Sequence, residues 1–334
     1  MTTSAPDRRT TAVSLLCAAA GLAVTVAVVD RAGLHRVVDV MLSVGWHGLA
    51  VLLLCQIAIF GILGVAWASV LPGGGGRWPG LVWARMIRDA VASCLPFSAV
   101  GGMVFGTRAL ALQGVTWPLA GASVVVDMTA EVLGQLAFTV VGFVLLLAWA
   151  PHSALTVPFA VALVVAVIAV GGFLRAQSGA TRVLDLLARR IGGRWFASSD
   201  GPAARVAEAL HGLYARPGVP SLSVAMHLVG WIASGVDGWI ALRLVGSDAS
   251  LGGAMGIEAL LRLALVAGFI VPAGIGVQEA AYPALAAVFG VPPDMALGVA
   301  LLRRGRSIVF GLPVLLLSQA LELRRIGKVA DADV

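Results

Sequence analysis

The stretch VPAGIGVQEAAYPALAAVFGVPPDMALGVALLRRGRS, residues 271–307, decides how the rest of the chain is read. It joins a turn broken at Pro272, Gly274 and Gly276 to Gln278 and Glu279, and then sets Arg303, Arg304 and Arg306 inside an apolar run. Broken backbone and buried charge are both costly at membrane depth, where neither peptide groups nor ionised side chains find water. Their coincidence points to half of a substrate pathway, provided that a membrane surrounds it.

The composition supplies the membrane. Of 334 residues, 59% are hydrophobic and 12% charged, with a mean hydropathy of +0.96, against about 25% charged in soluble proteins. Several apolar runs reach the roughly 20 residues that cross a bilayer as a helix. The net charge of +6 comes from arginines at loops and helix ends and a single lysine, Lys328. That is a positive-inside pattern rather than a nucleic-acid signal, so no nucleic-acid partner is expected. Cys17, Cys55 and Cys94 sit in apolar surroundings without CxxC spacing and read as small hydrophobes. The apolar run 11–29 is long for a signal peptide and ends without a small-x-small cleavage site, so it reads as a retained first helix.

Outward from the opening stretch, full spans are expected at 11–29, 47–71, 118–150, 157–173, 221–245 and 295–321. Two further units, 81–117 and 251–289, are interrupted. The first carries Arg85, Arg88, Asp89 and Arg108, with breaks at Pro96 and at Gly101-Gly102. The predicted fold is an all-α polytopic membrane domain over 1–334: six spans plus two re-entrant or discontinuous hairpins. An arginine-rich section, 175–220, separates two halves, about 47–150 and 221–322. It holds two amphipathic faces, Val183/Leu187/Ile191 and Val206/Leu210/Leu213, read as interfacial helices on the cytoplasmic side. Loop charge places both termini in the cytoplasm, with the two arginines at 30–46 as the discordant feature.

The halves align without a gap. Pro96 falls on Pro272, Gly114 on Gly290, Val115 on Val291 and Ala120 on Ala296, each pair 176 residues apart. Counting crossings, the spans after the two hairpins run in opposite directions, as an inverted-topology repeat requires. Asp127 falls on Arg303, which predicts that Asp127 or Glu131 pairs with Arg303 or Arg304.

Asp127, Glu131 and Gln135 share one helical stripe. Paired acids can serve catalysis, but the neighbouring sequence offers no histidine or metal-type cluster to assist them. There is no GxxxxGK, HExxH or GxSxG, which argues against a P-loop ATPase, a zinc protease or a serine hydrolase. No cofactor is expected. Arg303, Arg304 and Arg306 spread over about 160° of a helical wheel, so they cannot all face one partner. Each reads either as structural or as an anion contact for a phosphate or carboxylate headgroup. Glu279 reads as a helix N-terminal carboxylate or as a gate. Arg88 reads as part of a solvated hairpin base or as a site residue, Glu258 and Arg262 as a pair holding the second hairpin closed, and Asp237 as a buried acid or an ion site.

The run Pro272-Ala-Gly-Ile-Gly-Val-Gln-Glu279 with Arg304 in LLRRGRS, together with Arg88-Asp89, LPFSAVGG and VVVDMTAEVLGQLAF, resembles a known family. It is that of the flippase-like proteins related to the transmembrane region of lysylphosphatidylglycerol synthases, and the wording is most similar to the hopanoid-biosynthesis-associated branch. The resemblance implies a bacterial inner-membrane protein that moves lipids, a hopanoid or a phospholipid, with Arg88, Glu279 and Arg304 as motif positions. No aminoacyl-transfer domain follows Val334, so lipid lysylation by this chain alone is not expected. The leading expectation is a non-catalytic lipid translocase. The alternatives are a proton- or sodium-coupled transporter of a small anionic solute and a membrane enzyme acting on an isoprenoid lipid. Monomer and homo-oligomer both remain open.

Overall fold

Where water cannot satisfy the peptide groups they must bond to one another, and an apolar chain does this most simply as helices. The structure, a computed structural model, describes residues 34–94, 98–178, 202–267 and 277–332; among them are ten α-helices and no strand. The expected first helix at 11–29, the Val183/Leu187/Ile191 face and the break residues Pro96, Pro272, Gly274 and Gly276 lie outside the described residues.

Helix α1, Leu34–Val70, is bent at Gly45 (φ 72°, ψ 171°), so the apolar span expected from residue 47 begins just past the bend. A short 3-10 turn, Gly74–Arg77, leads to α2, Trp78–Cys94, and α3, Ser98–Ala111. These two form an antiparallel hairpin whose open end is tied by Gln113 Nε2 donating to the Gly80 carbonyl at 3.0 Å. The expected second break at Gly101-Gly102 is absent, because α3 runs through both residues. These glycines serve close packing instead: a Cβ on Gly102 would lie 2.8 Å from the Arg88 carbonyl oxygen. Small residues let two backbones approach inside a membrane, where the hydrophobic effect does not press helices together.

The chain continues through α4, Trp117–Trp149; α5, Thr156–Ser178; the amphipathic α6, Pro202–Tyr214; and α7, Val219–Leu244. Then come α8, Leu251–Ala267; α9, Val277–Val288; and α10, Pro293–Ala332. Four helices are long and apolar enough to cross a membrane: α1 from Leu42, α4, α5 as far as Arg175, and α7. Helix α10 continues well past the expected end at residue 321 and carries the arginine cluster in its middle. Val161, Val164, Ile168 and Phe173 of α5 are all exposed, an exterior suited to hydrocarbon. Leu213 of α6 is buried against Val70, Ala122 and Val126, with Leu210 packed beside it, so these two residues of the predicted Val206/Leu210/Leu213 face cover the end of α1 and the start of α4.

Corresponding elements recur at the spacing read from the sequence. Helices α4 and α10 start at Trp117 and Pro293. The turn before each carries a left-handed glycine, Gly114 (φ 85°) and Gly290 (φ 78°). In each turn the next valine N–H returns to the helix before it, Val115 to Leu110 O at 3.3 Å and Val291 to Ala286 O at 3.0 Å. Gly48 lies against Leu244 and Gly230 against Leu63, so α1 and α7 pack antiparallel. Helix α2 packs on α10 as α8 packs on α4. One apolar core gathers around Trp67, Leu81, Leu110 and Val124, and another around Leu242, Ile257, Leu285 and Val299.

Candidate functional site

Each core is crossed by charge. On the α2 face against α4, Arg85 sends Nη1 and Nη2 to the two oxygens of Glu131 at 2.9 and 2.5 Å. Arg88 donates to Asp127 Oδ2 at 2.7 Å and also to Glu131. Arg85 reaches back to Asp89 at 3.2 Å, the expected i, i+4 pair. Arg85 and Arg88 are 3% and 6% exposed, so the solvated-base reading is overturned. The spacing of Arg85, Arg88 and Asp89 turns them toward the Asp127/Glu131 stripe one helix away. Forked pairing of this kind suits arginine, whose planar head presents parallel donors.

The second network lies between α8, α10 and α7. Arg303 donates to Glu258, and Arg306 donates to Asp237 at 2.5 Å. Arg304 points elsewhere, to Glu279 on α9, at 3.1 Å from Nε and 3.4 Å from Nη2. Three arginines thus meet three acids, as their spread on the helix requires. Beside Glu279, Gln278 Nε2 donates to the Ala300 carbonyl at 3.0 Å, which ties the start of α9 to α10. The expected i, i+4 ion pair between Arg262 and Glu258 is present at 3.8 Å, while Glu258 also accepts from Arg303 and Arg262 donates to Ser234 Oγ at 3.2 Å. A Cβ on Gly238 would lie 2.5 Å from Glu258 Oε1, so only glycine leaves that carboxylate its place.

The predicted pairing of Asp127 or Glu131 with Arg303 or Arg304 is therefore wrong. All four are ion-paired, but each pair lies within its own half. What the offset captured is a reversal of polarity: the acid on α4 faces arginines on α2, while the arginine on α10 faces an acid on α8. A mid-membrane arginine costs roughly 2.5–3.5 kcal/mol unless compensated, so the nearest opposite charge captures it. In each half the partners lie on a hairpin arm and the long helix packed against it, apart from Asp237, which α7 supplies to Arg306.

Sequence reasoning missed one member altogether. His227 of α7, fully buried, places Nε2 2.9 Å from Asp127 Oδ1. The acids do have a histidine, from a segment 100 residues away in the chain. Its signal was a lone histidine inside an apolar run, which distance along the chain disguised.

Aromatic faces line both networks. The Arg88 head lies 5.8 Å from the Trp67 ring, and Arg303 5.8 Å from Tyr282. Arg262 lies 4.8 Å from Trp231, whose indole N–H donates to the Glu131 carbonyl at 3.3 Å and so links the two networks. Several buried polar atoms have no hydrogen-bond partner, among them Asp237 Oδ1, Glu258 Oε2 and the Tyr282 hydroxyl. No group of three His, Cys, Asp or Glu side chains among the described residues is placed to hold a metal ion. An open cleft of about 400 Å³ lies apart from both networks, lined by Trp149, Ser247, Asp248, Phe289 and Met295 at one end of the helices.

Long apolar helices with an unburied exterior, enclosing paired interior charge, define a polytopic α-helical membrane protein. The chain belongs to the family of the lysylphosphatidylglycerol synthase transmembrane region, whose family model matches residues 11–314. Neither the curated proteins nor the solved structures contain a chain to which this one is significantly similar.

Proposed function

We propose that this protein is a non-catalytic lipid translocase of the bacterial inner membrane, built as two inverted repeats, about 47–150 and 221–322. The α2–α3 and α8–α9 hairpins are its re-entrant units, and residues 175–220 form a cytoplasmic interfacial connection. The observation that carries this reading is the pair of buried ion networks, one between each hairpin and the long helix after it. Six arginines (85, 88, 262, 303, 304 and 306) and six carboxylates (89, 127, 131, 237, 258 and 279) neutralise one another there.

A polar headgroup cannot cross hydrocarbon alone, because each unpaired polar group costs several kcal/mol there. Networks that are neutral in sum can exchange an internal carboxylate for the phosphate of a headgroup at little net cost, since arginine's fork fits both. Glu279 and Arg304 suit an entry point: their side chains are 17% and 11% exposed, against 0% for Asp127 and Glu258. An apolar exterior leaves the acyl or isoprenoid tail in the bilayer while the headgroup travels inside. The substrate class is a polar lipid, with a hopanoid favoured by the resemblance of VDMTAEVLGQ and VPAGIGVQEA to the hopanoid-associated branch.

The test is reconstitution in liposomes carrying labelled hopanoid or labelled phospholipid, with wild type compared against Glu279→Gln and Arg304→Ala. Wild type should move at least one lipid about tenfold faster than protein-free vesicles, a difference of roughly 1.4 kcal/mol in barrier. Both variants should fall most of the way to the protein-free rate. Equal movement in all samples, empty vesicles included, would sink the proposal. Movement of a small anionic solute instead of lipid would favour a secondary transporter.

A further inference from the structure

We propose that Ser223 and His227 form a proton-relay site that feeds the first ion network, so that the interior takes up one proton with each anionic headgroup. This rests on the translocase reading and names its coupling ion. Both residues are fully buried, and His227 Nδ1 and Ser223 Oγ have no hydrogen-bond partner. They stand one helical turn apart on the same face of α7. Each unpartnered buried polar atom costs about 1–3 kcal/mol, so two of them one helical turn apart suggest a use. They are also chemically complementary. A neutral imidazole with its Nε2 proton toward Asp127 leaves Nδ1 as an acceptor, which a serine hydroxyl can supply.

The charged groups around His227 are fixed by the packing. From α4, Asp127 lies 2.9 Å away and Glu131 stands one turn further on. From α2, Arg88 and Arg85 hold the other Asp127 oxygen at 2.7 and 3.5 Å. Helix α1 brings Leu63 and Ile62 against α7 at Gly230. Helix α6, which also touches α7, has Arg205, Glu208 and His211 exposed. Of the groups buried here, only an imidazole ordinarily titrates between about pH 5 and 8.

Charge balance couples the proton to the substrate. With His227 neutral, the six arginines and six carboxylates cancel in sum, two against three in the first network and four against three in the second. One proton on Nδ1 adds one positive charge and one anionic phosphate offsets it, so the two enter together without changing the charge of the interior. In the transfer, an N–H bond forms at Nδ1 as the Ser223 O–H bond breaks. In the same concerted relay a hydronium ion gives its proton to the serine oxygen and leaves as water, and the reverse steps return the proton on release. Ser223 lies about one turn from the α7 start at Val219, between that end of the helix and His227.

The experiment has two arms on the full-length protein. In the first, transbilayer movement of fluorescent phosphatidylglycerol and phosphatidylcholine is followed from pH 8 to pH 6 in wild type, His227→Asn and Ser223→Ala. Phosphatidylglycerol movement by wild type should rise about fivefold on acidification as a histidine in this range gains its proton. The rise should vanish in His227→Asn and be reduced in Ser223→Ala. A pH profile in His227→Asn identical to that of wild type would overturn the proposal while leaving translocation intact.

In the second arm, histidine resonances of isotope-labelled wild type in nanodiscs are titrated with each lipid. The His227 resonances should change on acidification over the same pH range, and the change should be larger with phosphatidylglycerol than with phosphatidylcholine. A His227 signal that is unchanged across that range overturns the proposal even if lipid moves. A titrating, anion-linked His227 in a protein that moves no lipid keeps the proton site and removes the translocase. This arm needs only wild type, so a poorly folded variant does not leave the proposal undecided.

Discussion

A buried arginine inside an apolar bundle holds its charge only through its partner, and the identity of that partner is what the structure adds at the residue scale. Arg303 spends its contact on Glu258, not on Asp127. Removing one member of a buried pair leaves the other uncompensated, typically at a cost of 3–5 kcal/mol, while removing both is far milder. Arg303→Leu should therefore lower stability to denaturant by about 3 kcal/mol, and Arg303→Leu/Glu258→Leu should recover a large part of it. Arg303→Leu combined with Asp127→Leu should be additive to within about 0.5 kcal/mol, as expected of residues that share no contact. Recovery in the Asp127 combination, and none with Glu258, would restore the pairing read from the sequence. The acids and arginines themselves were legible, because charge in an apolar run always needs a reason. The partners were not, because a helix presents its stripe to whichever helix packs there.

At the scale of elements, the hairpin α2–α3 shows how a local signal can be seen and misread. Two adjacent glycines in an apolar segment look like a hinge. In α3 they are an approach surface, with Gly102 on the Arg88 backbone, and at Gly106 an added Cβ would lie 3.5 Å from the Arg88 Cβ. That approach holds Arg88 where it can reach both Asp127 and Glu131. Gly102→Leu should push the hairpin apart and destabilise the protein by about 1–3 kcal/mol, with loss of lipid movement. Gly121→Ala in α4, where an added Cβ meets nothing nearer than Thr107 Cγ2 at 4.0 Å, should be neutral or stabilising by about 0.5–1 kcal/mol. Thermal unfolding in detergent distinguishes them, and equal effects at the two sites would remove the packing role given to Gly102. The turns Gly114-Val115 and Gly290-Val291 were readable in advance, since a left-handed residue before a buried valine is local chemistry.

At the scale of the whole molecule, the ends of the helices assign residues to two sides. The loop after α4, the loop after α7 and the turn before α10 meet around the open cleft. Helix α6 packs at the opposite end, beside Val70 and Ala122. With the native cysteines replaced, Ser153→Cys and Asp248→Cys should react with a membrane-impermeant thiol reagent added outside intact cells. Glu208→Cys should react only after the membrane is opened. Labelling of Glu208→Cys first would invert the proposed orientation, and labelling of all three from one side would break the assignment of ends.

By itself the sequence determined the solvent and the parts. Composition required a bilayer, run lengths required long helices, and the 176-residue offset matched hairpin to hairpin and turn to turn. These are properties of hydropathy and of local backbone chemistry, which act over a few turns of chain. Only the tertiary structure decided which charge neutralises which, and that His227 stands on Asp127 across 100 residues. In a low-dielectric interior a charge is satisfied by proximity, and proximity between distant segments is set by how glycine-bearing helix faces close on one another. The opposed charges at Asp127 and Arg303 mark matching positions in two halves, each of which pairs its own acids with its own arginines.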